Sequence, residues 1–190
     1  MNTKSKKCIN CILDQGIPGI KFDNHGVCSL CKLHEKLDKD FPINVNDGEF
    51  YELIKKIKYK GRNHRYDCAV GVSGGTDSSY TLYMAKKFGL KPLAVHFDNG
   101  WNTELSVSNI YNLLRKLNVD LQTYVVDWEE FKDIQLSFLK ASVPDAEQPT
   151  DLGIVSVLYR IASDNKIKYI LNGVSFRTEG NIPAGWGYVD

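Results

Sequence analysis

Residues 68–79 read Cys-Ala-Val-Gly-Val-Ser-Gly-Gly-Thr-Asp-Ser-Ser. An apolar run breaks at Ser73-Gly74-Gly75-Thr76-Asp77-Ser78, and a helical pattern follows at once. A strand that passes through a glycine turn into a helix start aims backbone N–H groups at one point. The helix dipole adds partial positive charge there. The stretch predicts a phosphate-binding turn.

Outward from the turn, strands and helices alternate. Tyr66 to Val72 predicts a strand whose continuous apolar character implies burial on both faces. Ser78 to Phe88 predicts a helix closed by Gly89, with Leu82, Ala85 and Phe88 inward. Pro92 to Phe97 is a second strand, ending in Asp98-Asn99-Gly100-Trp101. Thr103 to Leu117 is a helix with Leu105, Ile110, Leu113, Leu114 and Leu117 inward, and Asp120 to Val126 is a third strand. Helices over Trp128–Lys140 and Asp151–Asn165 precede a fourth strand, Tyr169 to Asn172, which ends at Gly173. This alternation predicts an α/β fold with a doubly wound parallel sheet. Ligands of such sheets gather beyond the carboxyl ends of the strands, where Ser73, Asp98 and Asp127 fall.

Before this region the chemistry changes. Cys8-x2-Cys11 and Cys28-x2-Cys31 have the spacing of a four-thiolate zinc site, and turn formers (Gly16, Pro18, Gly19, Asn24, Gly26) fill the interval. Such a segment has little core of its own, so metal binding supplies its folding energy. Four cysteines leave no open position on the metal, which makes the zinc structural, with unrelated free thiols or an iron–sulfur cluster as the alternatives; His25 and His34 are surplus to the shell. Breakers at Phe41-Pro42 and Asn46-Asp47-Gly48 lead into a helix, Glu49 to Lys60, with Phe50, Leu53, Ile54 and Ile57 on one face and a solvated lysine face opposite. The expected organisation is a zinc knuckle over residues 1–40, a linker and lead-in helix over 41–66, and a nucleotide domain over 67–190.

The chain of 190 residues is 43% apolar and 25% charged, with net charge +1, which gives no electrostatic case for nucleic acid. No apolar run approaches the roughly 20 residues of a membrane span. The basic start runs into Cys-Ile-Asn-Cys rather than an apolar core, so no signal peptide is expected. Paired cysteines of this kind belong to a reducing compartment, and the expected location is the cytoplasm.

The turn is classified by what it lacks. A Walker loop needs four residues between its glycines and a following Lys-Ser/Thr, and a dinucleotide fingerprint needs Gly-x-Gly-x-x-Gly; neither stands here. The Ser73-Gly74-Gly75-x-Asp77-Ser78 pattern resembles the PP-loop of ATP pyrophosphatases, which cleave ATP between the α and β phosphates. The resemblance implies an adenine nucleotide α-hydrolase-like fold, with ATP and Mg²⁺ bound by Ser73, Gly74, Gly75, Thr76, Asp77, Ser78 and Ser79. It also implies Asp98 near the ribose or adenine, and Gly173 where the backbone approaches the nucleotide. Asp77 has two readings, a Mg²⁺ ligand or the N-cap of a helix starting at Ser78, and both are compatible. Cys68, inside a strand, is a small apolar residue.

Two further segments narrow the resemblance. Pro18 to Cys28 (Pro-Gly-Ile-Lys-Phe-Asp-x-x-Gly-Val-Cys) and Phe176-Arg177-Thr178-Glu179-Gly180, followed by Pro183 and Trp186, are similar to the N-acetyl sugar amidotransferases of surface-polysaccharide (O-antigen and lipopolysaccharide) biosynthesis. That family adenylates the acetamido oxygen of an N-acetylated nucleotide sugar and replaces it with ammonia, releasing AMP and pyrophosphate. Ammonia comes from separate glutaminase and cyclase-like subunits. The resemblance makes Arg177 and Glu179, with Asp77, candidates for catalytic contact to substrate or Mg²⁺; the alternative for the first two is a salt-bridged loop. Val174-Ser175 departs from the polar pair the family prefers after the strand-end glycine. The absence of a fifth-strand pattern and the stop at Tyr188-Val189-Asp190 suggest a partial chain of uncertain activity alone. The rival readings are a tRNA thiolation enzyme, for which Cys68 is the lone cysteine of the nucleotide domain, and a non-catalytic nucleotide-binding scaffold.

Overall fold

The parallel pairing of Cys68–Gly71 (β1) with Pro92–Asp98 (β2) starts the sheet. Leu121–Val125 (β3) extends it beyond β2, and Ile170–Leu171 (β4) pairs with the other edge of β1. The order is β3-β2-β1-β4, all parallel, so the direction of winding reverses between β1 and β4. This computed structural model describes residues 6–42, 48–143, 145–180 and 182–183; the breakers Asn46 and Asp47, and Trp186 with the last residues, lie outside them.

Helices Thr76–Lys87 (α3) and Glu104–Leu117 (α4) cover one face of the sheet, where Leu82, Ile110 and Leu114 pack on Val70, Val72 and Ala94. The other face belongs to Gln148–Asp164 (α6), whose Val157, Leu158 and Ile161 meet Ala69, Leu93 and Val95. Alternate residues of β1 and β2 thus feed opposite cores, as the two-residue repeat of a strand buried on both faces requires. The doubly wound expectation holds. The sequence also decides how the helices end: Thr103 Oγ1 accepts from the Ser106 amide to start α4, and Asn118 closes it in a left-handed conformation (φ 50°). Asp127 does the same work at Trp128–Lys140 (α5), accepting from the Glu130 amide.

Several expectations change. Helix α3 begins at Thr76, and its N-cap is Gly75. Asp77 therefore lies inside the first turn and is not the cap. Helix α6 starts three residues early because Pro149 sits in its first turn, where a missing N–H costs nothing. Leu105, expected inward, is 71% exposed, since it falls off the stripe set by Ile110 and Leu114.

The chain divides into two compact units, residues 1–46 with 174–190, and residues 47–173. Helix Gly48–Gly61 (α2), expected from Glu49 to Lys60, packs by its apolar face: Ile54 and Ile57 share a core with Cys68, Ala85 and Leu90. The segment after Gly173 belongs with the cysteine unit. There, helix Ser29–Asp40 (α1), which the turn-rich reading of residues 1–40 missed, contacts the short helix Phe176–Glu179 (α7). Among the described residues, no helix is long and apolar enough to cross a membrane.

Candidate functional site

The turn after β1 is built by two close approaches. Gly74 has φ +79°, and a Cβ there would sit 2.4 Å from the Ser106 carbonyl oxygen of α4. Only glycine meets both demands. Asn109 Nδ2 donates to the Gly74 carbonyl at 3.2 Å and ties the loop to the same helix. On the far side, Gly173 lies against the start of α3, where a Cβ would be 2.9 Å from the Asp77 carbonyl carbon and 3.1 Å from the Ser78 nitrogen. Gly173 was expected to admit a nucleotide; the approach it makes within the protein is to the backbone of the loop helix.

The serines hold the loop together. Ser73 Oγ and Ser78 Oγ are 3.2 Å apart, the Ser73 amide donates to Ser78 Oγ at 3.3 Å, and Ser79 Oγ donates to the Gly75 carbonyl at 2.6 Å. No side chain caps α3 at Gly75, so its first-turn amides are left to an external acceptor. Thr76 and Asp77 are exposed on that turn; the Asp77 carbonyl accepts from Thr81 Oγ1 at 2.9 Å, while its carboxylate has no hydrogen bond or ion pair among the described residues.

Below the loop lies a pocket of ≈ 270 Å³. Its walls come from the carboxyl ends of β1 (Val72, Ser73) and β2 (Phe97, Asn99), from Asn172 after β4, and from Thr150 on α6. This is the point where the strand order reverses, the expected ligand crevice of such sheets. Among the described residues no lysine or arginine lines it, and the positive end of the α3 dipole is the favourable charge at its mouth. Asp77 is suited to hold a cation, since a carboxylate beside phosphate is repulsive without an intervening divalent ion.

Asp98 stands at the end of β2 as expected, but its Oδ1 already accepts from the Gly100 amide (3.1 Å) and from Asn102 Nδ2 (2.7 Å). It shapes the turn, while its neighbours Asn99 and Asn102 face the pocket. The sequence reading named neither as a site residue, nor Thr150 and Asn172; the Asp-Asn-Gly turn and the Pro149 helix start were their available signals. His96 was also missed. Its ring is buried and lies with Nδ1 2.9 Å from the Val72 carbonyl, bridging β2 to the loop.

The four cysteines of the other unit converge. Their sulfurs all lie within 4.8 Å of one another, with Cys8–Cys31 at 3.8 Å and Cys11–Cys28 at 3.7 Å. A tetrahedral zinc with Zn–S bonds of about 2.3 Å sets its sulfurs about 3.8 Å apart, so the set fits zinc. Backbone amides of Cys28 and Asn10 donate to Cys8 Sγ, and that of Cys31 to Cys28 Sγ, as to thiolates. Burial raises the Cys8 thiol, but the amides of Cys28, Asn10 and Cys11 outweigh it and lower the group to about 6. Burial, then the neighbouring sulfurs, push Cys31 up. Four sulfurs this close cannot all ionise unless a cation joins them. His34 is not part of the set and pairs with Asp38 at 3.0 Å.

Arg177 and Glu179 fall in this cysteine unit. The Arg177 guanidinium pairs with Asp38 Oδ1 at 2.8 Å, donates to the Phe41 carbonyl at 2.6 Å and lies over the Phe176 ring. Its Nε is buried without a partner. Glu179 is exposed at the end of α7. Of the candidate nucleotide residues, the structure gathers 73–79 and Gly173 around one loop.

Residues 67–160 match the family model of queuosine biosynthesis protein QueC. The chain is 40% identical over 68 residues to a 7-cyano-7-deazaguanine synthase of Nitratiruptor sp., covering 36% of this chain and 30% of that protein. An uncharacterized protein of Methanocaldococcus jannaschii is 27% identical over 173 residues, 90% of this chain and 55% of that one. The chain thus spans about half the length of one curated relative and less of the other. Among solved structures it is similar to an NH3-dependent NAD synthetase from Campylobacter jejuni, at 17% identity and TM-score 0.46, over 64% of this chain and 54% of that one.

Proposed function

We propose that this chain, whose nucleotide region belongs to the PP-loop (adenine nucleotide α-hydrolase) superfamily, takes part in an ATP-dependent, AMP-forming amidotransfer to the acetamido group of an N-acetylated nucleotide sugar. The observation that carries the ATP chemistry is the uncapped start of α3, with Asp77 exposed beside it and no lysine or arginine in the pocket lining. Such a site neutralises phosphate with amides and a divalent cation. The reaction has two steps. The acetamido oxygen attacks the α-phosphorus and expels pyrophosphate, and the amide proton is lost to give an O-adenylated imidate. Ammonia then adds to the imidate carbon and AMP leaves, giving the acetamidino group. No nucleophilic side chain is needed, only positioning and charge neutralisation. The first-turn amides of α3 hold the leaving pyrophosphate, and the pocket at the β1/β4 switch point holds the adenosine part.

The sugar acceptor is supported by the two segments that resemble sugar amidotransferases, Pro18 to Cys28 and Phe176 to Gly180. They fall in one unit, where Arg177 is tied to α1. Arg177 and Glu179 remain candidates for acceptor or Mg²⁺ contact, and glutaminase and cyclase-like partners are the proposed source of ammonia. A second reading comes from the 40% identity over 68 residues to a 7-cyano-7-deazaguanine synthase: the acceptor would be a 7-deazapurine rather than a sugar.

The test is AMP and pyrophosphate release by the purified chain, and by any longer form of it, with Mg²⁺-ATP and ammonia. Release that depends on an N-acetylated nucleotide sugar supports the proposal. Release that depends on a 7-deazapurine supports the second reading, and stimulation by tRNA would sink both. Ser73→Ala and Asp77→Asn should each lower turnover, Asp77→Asn with a raised Mg²⁺ requirement.

A further inference from the structure

We propose that the cavity beside Trp101 is the acceptor subsite, and that Trp101 is the platform on which the pyranose ring of an N-acetylated sugar stacks. The proposal rests on the sugar-amide reading above. The cavity measures ≈ 510 Å³ and is lined by Trp101, Lys132, Gln135, Leu136, Leu139 and Glu147, among others.

Trp101 is 64% exposed, yet it is held from two directions. Its indole N–H donates to Gln135 Oε1 at 2.7 Å, and its ring meets Trp128 edge to face with centroids 5.4 Å apart. Trp128 rests on the chain just before it, close enough that a Cβ on Gly100 would lie 2.7 Å from its ring. An exposed indole normally moves freely and serves no packing purpose. This one is fixed with its polar atom already satisfied, so what it offers a ligand is an apolar face. The floor is apolar too: Leu136 and Leu139 on α5 are 41% and 59% exposed and add nothing to the core.

A flat apolar platform with a charged rim matches a pyranose. The ring's C–H face packs on the indole, while its hydroxyls reach groups at the edge. Lys132, paired with Glu129 at 2.5 Å, and Glu147 stand at that rim. The placement also suits transfer. Asn99 and Asn102 line the pocket below the PP-loop, while Trp101 between them lines this cavity. Glu147 and Thr150, at the start of α6, divide in the same way. One turn and one helix start separate the two hollows, so an acceptor on Trp101 is delivered beside the nucleotide rather than into its place.

The experiment is calorimetric titration of the full chain with UDP-N-acetylglucosamine, UDP-N-acetylgalactosamine and methyl N-acetylglucosaminide, with UDP and a Mg²⁺-bound non-hydrolysable ATP analogue as references. Trp101→Ala should weaken the sugar probes about tenfold or more and leave the ATP analogue within about twofold. Trp101→Phe should retain most of the affinity, and Leu139→Trp, which fills the cavity from its floor, should weaken the sugars again. If both Trp101→Ala and Leu139→Trp bind the sugars like the wild type, the subsite is refuted and the sugar-amide reading survives. If the wild type binds the ATP analogue but none of the sugars, that reading fails and takes the subsite with it. Equal losses for UDP and the UDP-sugars in Trp101→Ala would assign the platform to the base and overturn the pyranose role. A parallel loss of the ATP analogue would overturn it as well.

Discussion

Replacing Gly74 with alanine isolates the physical basis of the loop. Two penalties apply. The residue has φ +79°, a region that costs an L-residue about 1–2 kcal/mol. The added Cβ would also lie 2.4 Å from the Ser106 carbonyl oxygen and 2.9 Å from its Cα and carbonyl carbon, all of them backbone. Helix α4 cannot yield locally, so the loop must retreat by roughly half an ångström or more, and the 3.2 Å bond from Asn109 to the Gly74 carbonyl lengthens with it. We expect a stability loss of about 1–3 kcal/mol in urea titration. AMP formation should fall further than stability explains, by about 100-fold, because the amides and serines that meet the phosphates move together. Gly75→Ala is the control: it is extended at φ −82°, and its Cβ would meet nothing closer than Ser73 Oγ at 3.4 Å. It should fold normally, and any loss there reports intrusion on the ligand. A Gly74→Ala protein with native urea midpoint and turnover within twofold of wild type would refute the argument.

Other expectations concern the remaining features. Zinc analysis should give one ion per chain; Cys28→Ser should abolish it and lower far-UV helicity, since Cys28 also caps α1 through the Cys31 amide. The Asp151 carboxyl is raised by burial and by the nearby Asp145 and Glu147 carboxylates. A carboxyl raised in the folded state weakens folding once pH passes its folded value and ceases to do so below its unfolded value. Asp151→Asn should therefore raise the urea midpoint at pH 7, and the gain should vanish in acid below the carboxylate range. Cys68 is fully buried, and burial beside Asp67 pushes its thiol up, so a disulfide reagent should leave it untouched in the folded chain and titrate it only in denaturant.

The main lines of the fold were legible because they rest on local patterns. The apolar run into Ser73-Gly74-Gly75, the strand–helix alternation and the two Cys-x2-Cys pairs each use a short-range signal, and each stands in the structure. Reading failed where partners are distant. Asp77 was assigned as a possible cap because its residue type suits one; the true start of α3 is set by the glycine turn before it. Leu105 was placed inward by composition, and the stripe centred on Ile110 and Leu114 left it outside.

The sequence by itself determined the sheet, the glycine turn and the four-cysteine cluster, since periodicity and cysteine spacing are encoded within a few residues of the groups they place. Tertiary structure alone decided which polar side chains meet around the pocket. Asn99, Asn102, Thr150 and Asn172 come from three separate elements and adjoin only after the sheet is wound. It alone decided that Arg177 is held by Asp38, 139 positions earlier in the chain. It alone also gave Gly74 its necessity, because the atom that forbids a side chain there belongs to Ser106 on another helix.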